Sequence, residues 1–188
     1  MKRFLFILSL LSACNAFETI ILNESAGKTI AIVKAIARLQ SPDGTVKGIM
    51  EFTQPFHAGA PTQINGTFKN LPEEDEFGIK ILQYGNMTNG CLSMGEEFNP
   101  ERFKKRYGPN HPNHWVGTLG NVKNQKYENT RNHKVSLFGH RSVIGRGVVL
   151  YENRDDGGVF STFESQSNGN VGRPVACGII GLIGTSFD

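Results

Sequence analysis

The pattern of apolar and polar positions along the chain predicts strands. Val46-Lys47-Gly48-Ile49-Met50-Glu51-Phe52 alternates between two faces, the period of a half-buried strand. The run before it, from Thr29 to Leu39, places Ile30, Ile32, Val33, Ile36 and Leu39 at spacings that fit partly to a strand and partly to a short helix. Between the two runs, Ser41-Pro42-Asp43-Gly44 is a Pro-Asp-Gly turn, which joins them as a β-hairpin. Further strands are predicted at residues 63–68, 77–84, 117–123, 134–138, 147–152 and 176–183. Several short strands separated by turn signals imply a sandwich or barrel. Two long connections, about 85–116 and 153–174, are the natural places for function in a compact β domain.

Composition sharpens this picture. The 188 residues make one domain's worth of chain, and 22 Gly with 13 Phe suits a turn-rich β protein better than a helical bundle. A net charge of +3 with no long run of one sign argues against nucleic acid as a partner. Met1, Lys2 and Arg3 followed by an apolar run over 4–13 read as a secretory signal, too short for a permanent membrane span. Cleavage after Ala16, with Cys14 and Ala16 at the small-residue positions, would leave 17–27 as a leader and 28–188 as the folded domain. The alternative is a bacterial lipidation box, Leu11-Ser12-Ala13-Cys14. Either way Cys14 drops out of the three cysteines and leaves Cys91 and Cys177, an even pair expected to form one disulfide in an oxidising compartment. In that setting Asn23, Asn65 and Asn86 are glycosylation candidates. No phosphate-binding glycine loop and no Gly-x-Ser-x-Gly elbow is present.

Residues 84–100 read YGNMTNGCLSMGEEFNP, and residues 46–52, 116–122, 143–146, Asp155-Asp156 and 176–181 stand around them as further motifs. By these the chain resembles copper/zinc superoxide dismutase from about Ala35 to Gly184: Tyr84 to Pro100 follows the family string Phe-Gly-Asp-x-Thr-x-Gly-Cys-x-Ser-x-Gly-x-His-Phe-Asn-Pro, 46–52 matches the family's second strand, and the other motifs match in order. The resemblance implies an eight-stranded Greek-key β-barrel with two long loops and a Cys91–Cys177 bridge. It also implies copper held by four His and zinc by three His, one of them shared, and an Asp.

Registering the motifs places Lys80 and Leu82 at the first two copper positions, Glu97 at the bridging position, and Arg106 and Trp115 at zinc positions. Thr118 takes the zinc Asp position and Tyr151 the last copper position. Pro174 replaces the Arg that guides superoxide, with Arg173 one place earlier. No cofactor is therefore expected, and the chain reads as a secreted, catalytically inactive relative with a structural or binding role. The alternative is an extracellular dismutase or other redox protein using a rearranged site around His111, His114 and Tyr151. Lys80, Glu97, Arg106 and Asp155, the last at a family position tying the metal sites together, would form an ion-pair network holding the loops; otherwise these side chains point to solvent. Phe160 and Phe163 would pack over the filled cavity, or else present an apolar patch to a partner. The expected partner is an unidentified protein or a second copy through the family's dimer face.

Overall fold

The computed structural model describes residues 21–25 and 28–183. Eleven strands, β1 (Ile21–Ser25), β2 (Lys28–Gln40), β3 (Lys47–Pro55), β4 (Thr62–Lys69), β5 (Glu76–Leu82), β6 (Thr88–Cys91), β7 (Thr118–Lys123), β8 (Lys126–Asn132), β9 (Gly147–Tyr151), β10 (Pro174–Ile179) and β11 (Gly181–Leu182), are joined by one helix, α1 (Phe163–Asn168). The ladder runs β2-β10-β9-β5-β7-β8-β4-β3 and closes because β3 pairs back onto β2. This closed circuit of eight antiparallel strands is a barrel, which leaves no free edge along it. β1 and β11 add to β2 outside the circuit.

The ambiguous first run is strand throughout, because β3 pairs with it over nine residues from Ile32↔Pro55 to Gln40↔Lys47. Tertiary pairing thus decides what periodicity left open. The hairpin turn is held by Asp43, whose carboxylate accepts from the Thr45 amide at 3.1 Å, with Gly44 at φ 75°. Part of the segment read as leader forms β1, and the proposed signal and cleavage site lie outside the described residues.

Residues 134–138 are not a strand. Val135 and Leu137 are buried as the alternation implied, but side chains satisfy the local backbone: Asn132 Oδ1 accepts from the Lys134 and Val135 amides, and Gln54 Oε1 accepts from Leu137. Strand β8 went unpredicted because KYENTRN carries one apolar side chain, Tyr127, on its buried face.

The barrel interior is filled by Met50, Phe52, Ile64, Ile79, Ile81, Val122, Val148 and Leu150 with their neighbours. Strand β5 lies between β7 and β9, and nearly all of it is buried. Ile79 and Ile81 face the barrel core; Gly78, Lys80 and Leu82 face the other way, beneath the loops. A β-carbon at Gly78 would lie 2.7 Å from Val171 and 3.0 Å from the Asn153 carbonyl, so the second long loop rests directly on this face. The first loop is stapled to it by the Cys91–Cys177 disulfide, which joins β6 to β10 beside Leu82, Met94 and Val149.

Candidate functional site

The outer face of β5 carries a buried polar cluster where a β-barrel of this size would otherwise place apolar packing. Lys80, Glu97, Arg106 and Asp155 are 2%, 8%, 1% and 4% exposed, so all four have left solvent. They come from three places: Lys80 from β5, Glu97 and Arg106 from the first long loop, Asp155 from the second. Glu97 is seated by an antiparallel bridge to Leu82 and by Phe98, whose amide donates to the Ile81 carbonyl at 2.9 Å. Asp155 is seated by Asn121 of β7, which donates to its carbonyl at 3.0 Å and accepts from its amide at 2.7 Å.

The charges alternate around Arg106. Its Nε donates to Glu97 Oε2 at 2.9 Å, its Nη1 to Asp155 Oδ1 at 2.9 Å, and its Nη2 to Asp155 Oδ2. The Asp155 contact is a bidentate fork, the geometry in which guanidinium binds carboxylate most firmly. Lys80 Nζ lies 3.2 Å from Glu97 Oε2 and 3.9 Å from Asp155 Oδ2, and donates to the Asn168 carbonyl at 2.5 Å. Thr118 Oγ1 donates to Glu97 Oε1, and the Gly157 amide donates to Asp155 Oδ1 at 2.8 Å. Two cations and two anions give a cluster with no net charge, and every carboxylate oxygen has a donor.

Burial would raise the Glu97 carboxyl, but Lys80, Arg106 and the Thr118 hydroxyl outweigh it and hold the group below the ordinary carboxylate range. Burial also acts on Arg106, and the two carboxylates more than compensate, so the guanidinium stays charged. For Lys80 burial prevails over the attraction of Glu97 and lowers its affinity for a proton. Tyr151, whose ring lies 5.5 Å from Lys80 Nζ, is pushed up first by burial and then by Glu97, so it is a neutral phenol at neutral pH.

Among the seven positions that the resemblance assigns to metal ligands, Lys80, Glu97, Arg106, Thr118 and Tyr151 converge on this cluster. Leu82 instead packs with Met94 and Val149, and Trp115 is turned away to donate from Nε1 to the Phe103 carbonyl at 2.9 Å. His111 and His114 are engaged separately: His111 stacks on Tyr107 at 3.7 Å and accepts from the Asn113 amide, while His114 Nδ1 lies 2.8 Å from the Trp115 carbonyl and therefore carries its proton there. Burial lowers the His114 pKa. Arg173 is exposed and pairs with Glu152 at 3.2 Å. Phe160 and Phe163 are 57% and 80% exposed, so they do not pack over the cluster. Three partners escaped the sequence reading: the Asn168 carbonyl and the Gly157 amide, which have no side-chain signal, and Asn121, which stands in the matched string 116–122.

A closed antiparallel barrel, one disulfide and two long loops meeting over β5 define the copper/zinc superoxide dismutase class of fold. The family profile for copper/zinc superoxide dismutase (SODC) matches residues 46–180. Superoxide dismutase [Cu-Zn] 5 of Dictyostelium discoideum is 39% identical over 142 residues, covering 73% of this chain and 91% of that protein. The extracellular superoxide dismutase [Cu-Zn] of Drosophila melanogaster is 35% identical over 156 residues, covering 81% and 84%. The crystal structure of the clock protein EA4 superposes with a TM-score of 0.71 at 38% identity, covering 80% of this chain and 94% of that one. The chain belongs to the copper/zinc superoxide dismutase family.

These relatives overturn the expectation of no cofactor: they are named copper–zinc enzymes, so copper and zinc are the cofactors that family membership implies. The side chains at the implied site do not fit those ions. Ammonium, alkyl, guanidinium, indole, hydroxyl and phenol stand at six of the seven positions, and the one carboxylate has both oxygens engaged by Thr118, Arg106 and Lys80. Among the described residues no group of three or more His, Cys, Asp or Glu is placed to hold a metal.

Proposed function

We propose that this chain is a secreted family member that does not dismute superoxide and serves as a structural or binding protein. The observation that carries the reading is the Arg106-centred cluster, which occupies the face of β5 beneath both long loops with four buried, mutually satisfied charges. Such a cluster offers no redox-active centre, and it ties the loops to the barrel by fixed ion pairs. A binding role is supported by the apolar side chains left in solvent on the second loop, Val159, Phe160 and Phe163. The signal pattern of residues 1–16 supports export, and the extracellular Drosophila relative is consistent with it. No helix among the described residues is long and apolar enough to cross a membrane. The partner is an unidentified protein or a second copy of the chain.

The experiment is superoxide turnover by purified protein incubated with copper and zinc, against free copper and an active family member. No turnover above the free-ion control is expected. Stoichiometric, chelator-resistant turnover would establish the second reading, dismutation, which the relatives' names favour.

A further inference from the structure

A second group of polar side chains gathers where the turn between β3 and β4 meets the long connection from β8 to β9. Gln54, which is buried, joins the two segments. Its Nε2 donates to the Ala60 carbonyl at 2.9 Å, and its Oε1 accepts from the Leu137 amide at 2.7 Å and from Ser136 Oγ at 3.2 Å. The segments so joined enclose a pocket of about 200 Å³, partly open to solvent. Its wall includes His133, Lys134, His140 and Arg141, and none of the described residues that line it is a carboxylate.

The cations of this pocket are short of partners. Arg141 is half-buried and donates from Nε to Glu101 Oε1, which leaves both terminal nitrogens without an acceptor among the described residues. Lys134 Nζ lies 5.2 Å from the centre of the Phe103 ring, and no carboxylate among the described residues pairs with it. His140 Nε2 stands 3.8 Å from Glu101 Oε1, and His133 is exposed. The amides of Gly139, His140 and Arg141 follow one another along the same wall, with Gly139 at φ 72°, and none has an acceptor among the described residues. One carboxylate, Glu101, thus faces two permanent cations, and the pocket keeps a positive excess.

Unpaired guanidinium nitrogens, an ammonium group and consecutive amides are the donors with which proteins hold an oxyanion. The volume falls below the range of about 300–1,000 Å³ that takes drug-sized ligands, so the ligand is small. Phe138, set edge-on to Phe56 at 5.0 Å, adds one apolar wall. We propose that this pocket binds a tetrahedral oxyanion, phosphate or sulfate, as the free ion or as a small ester, with Arg141 and Lys134 as its charged donors. Glu101 is a positioning residue, because it fixes Arg141 through Nε and leaves the terminal nitrogens to take two oxygens together. The site shares no residue with the Arg106 cluster, so it stands whether or not the chain dismutes superoxide.

The test is amide NMR of the isotope-labelled, disulfide-bonded protein at constant ionic strength. Inorganic phosphate, inorganic sulfate and phenyl phosphate are the probes, and chloride is the control. Saturable shifts at Gly139, His140 and Arg141 are expected with at least one probe, with a midpoint at or below about 1 mM, and none with chloride. Lys134→Gln and Arg141→Gln should each weaken binding about tenfold or more, while Lys123→Gln, an exposed cation outside the pocket, should leave it unchanged. Tighter binding of phenyl phosphate than of phosphate identifies an ester whose ring lies on Phe138, and the reverse order identifies the free ion. Shifts that never saturate, that chloride reproduces, or that keep the wild-type midpoint in both variants overturn the proposal. If Arg141→Gln fails to fold because Glu101 is left unpaired, Lys134→Gln and the double variant Glu101→Gln/Arg141→Gln supply the comparison.

Discussion

A β-carbon placed on Gly169 would lie 2.2 Å from Asp155 Oδ1 and 2.6 Å from Arg106 Nη1. Gly169 closes α1 in the left-handed region at φ 69°, where its amide reaches back to the carbonyls of Glu164 and Ser165. One residue thus ends the helix and makes room for the buried fork. Gly169→Ala should destabilise the fold by more than ~1 kcal/mol through backbone strain alone, with the crowding of the fork added. Denaturant unfolding checks this. Wild-type stability in the variant would show that the loop moves freely away from Arg106.

Removing one charge from the cluster leaves the others buried and unmatched. Asp155→Ala should cost about 3–5 kcal/mol and make the second long loop a site of rapid proteolysis. Replacing Lys80 and Glu97 together by Met and Gln keeps volume and removes one charge of each sign, so its cost should be clearly smaller. Equal losses in the two variants would mean that charge pairing is not what holds the loops.

Acid should release the cluster through Glu97. Its folded-state pKa is depressed, so the unfolded chain takes up the proton first, and stability present above the ordinary value of 4.5 is lost as pH falls through the folded one. The sign is the same for Lys80, in a different window: its folded pKa lies below 10.5, so in alkaline solution the unfolded chain binds the extra proton and stability rises with pH there as well. Chemical denaturation as a function of pH checks both slopes. In Glu97→Gln the acid slope should flatten, and in Lys80→Met the alkaline one.

Reduction of Cys91–Cys177 removes a cross-link spanning 86 residues. The chain-entropy estimate for a loop of that length is on the order of 4 kcal/mol. The Cys91→Ala/Cys177→Ala variant should lose about that much, with the earliest gain in hydrogen exchange between Gln83 and Met94. Exchange confined to the second long loop would contradict the bridge's role as the brace of the first.

Much of this architecture can be read from the residues, and the exceptions share a cause. The Ser41–Gly44 turn declares its hairpin because the Asp and Gly geometry is local. The four charges can be nominated because each stands in or beside a recognisable string. Residues 134–138 mislead because their alternation reports burial, while Asn132 and Gln54 take the hydrogen bonds that would have made a ladder. Lys80's contact with the Asn168 carbonyl and the outward turn of Trp115 depend on the path of loop backbone, which no side-chain pattern records. The exposure of Phe160 and Phe163 follows from the same limit, since it too is set by the path of the second loop.

The separation of the two bridged cysteines is also an interval of time. At ribosomal rates of about 5–20 residues per second, the 86 residues after Cys91 take on the order of 4–17 s to emerge, and Cys91 has no partner until they do. Strand β10, which carries Cys177, is also needed to close the barrel against β2 and β9. For that interval no cross-link holds the Tyr84–Cys91 segment to the barrel. The bond that finally fixes this loop is therefore among the last contacts the growing chain can make.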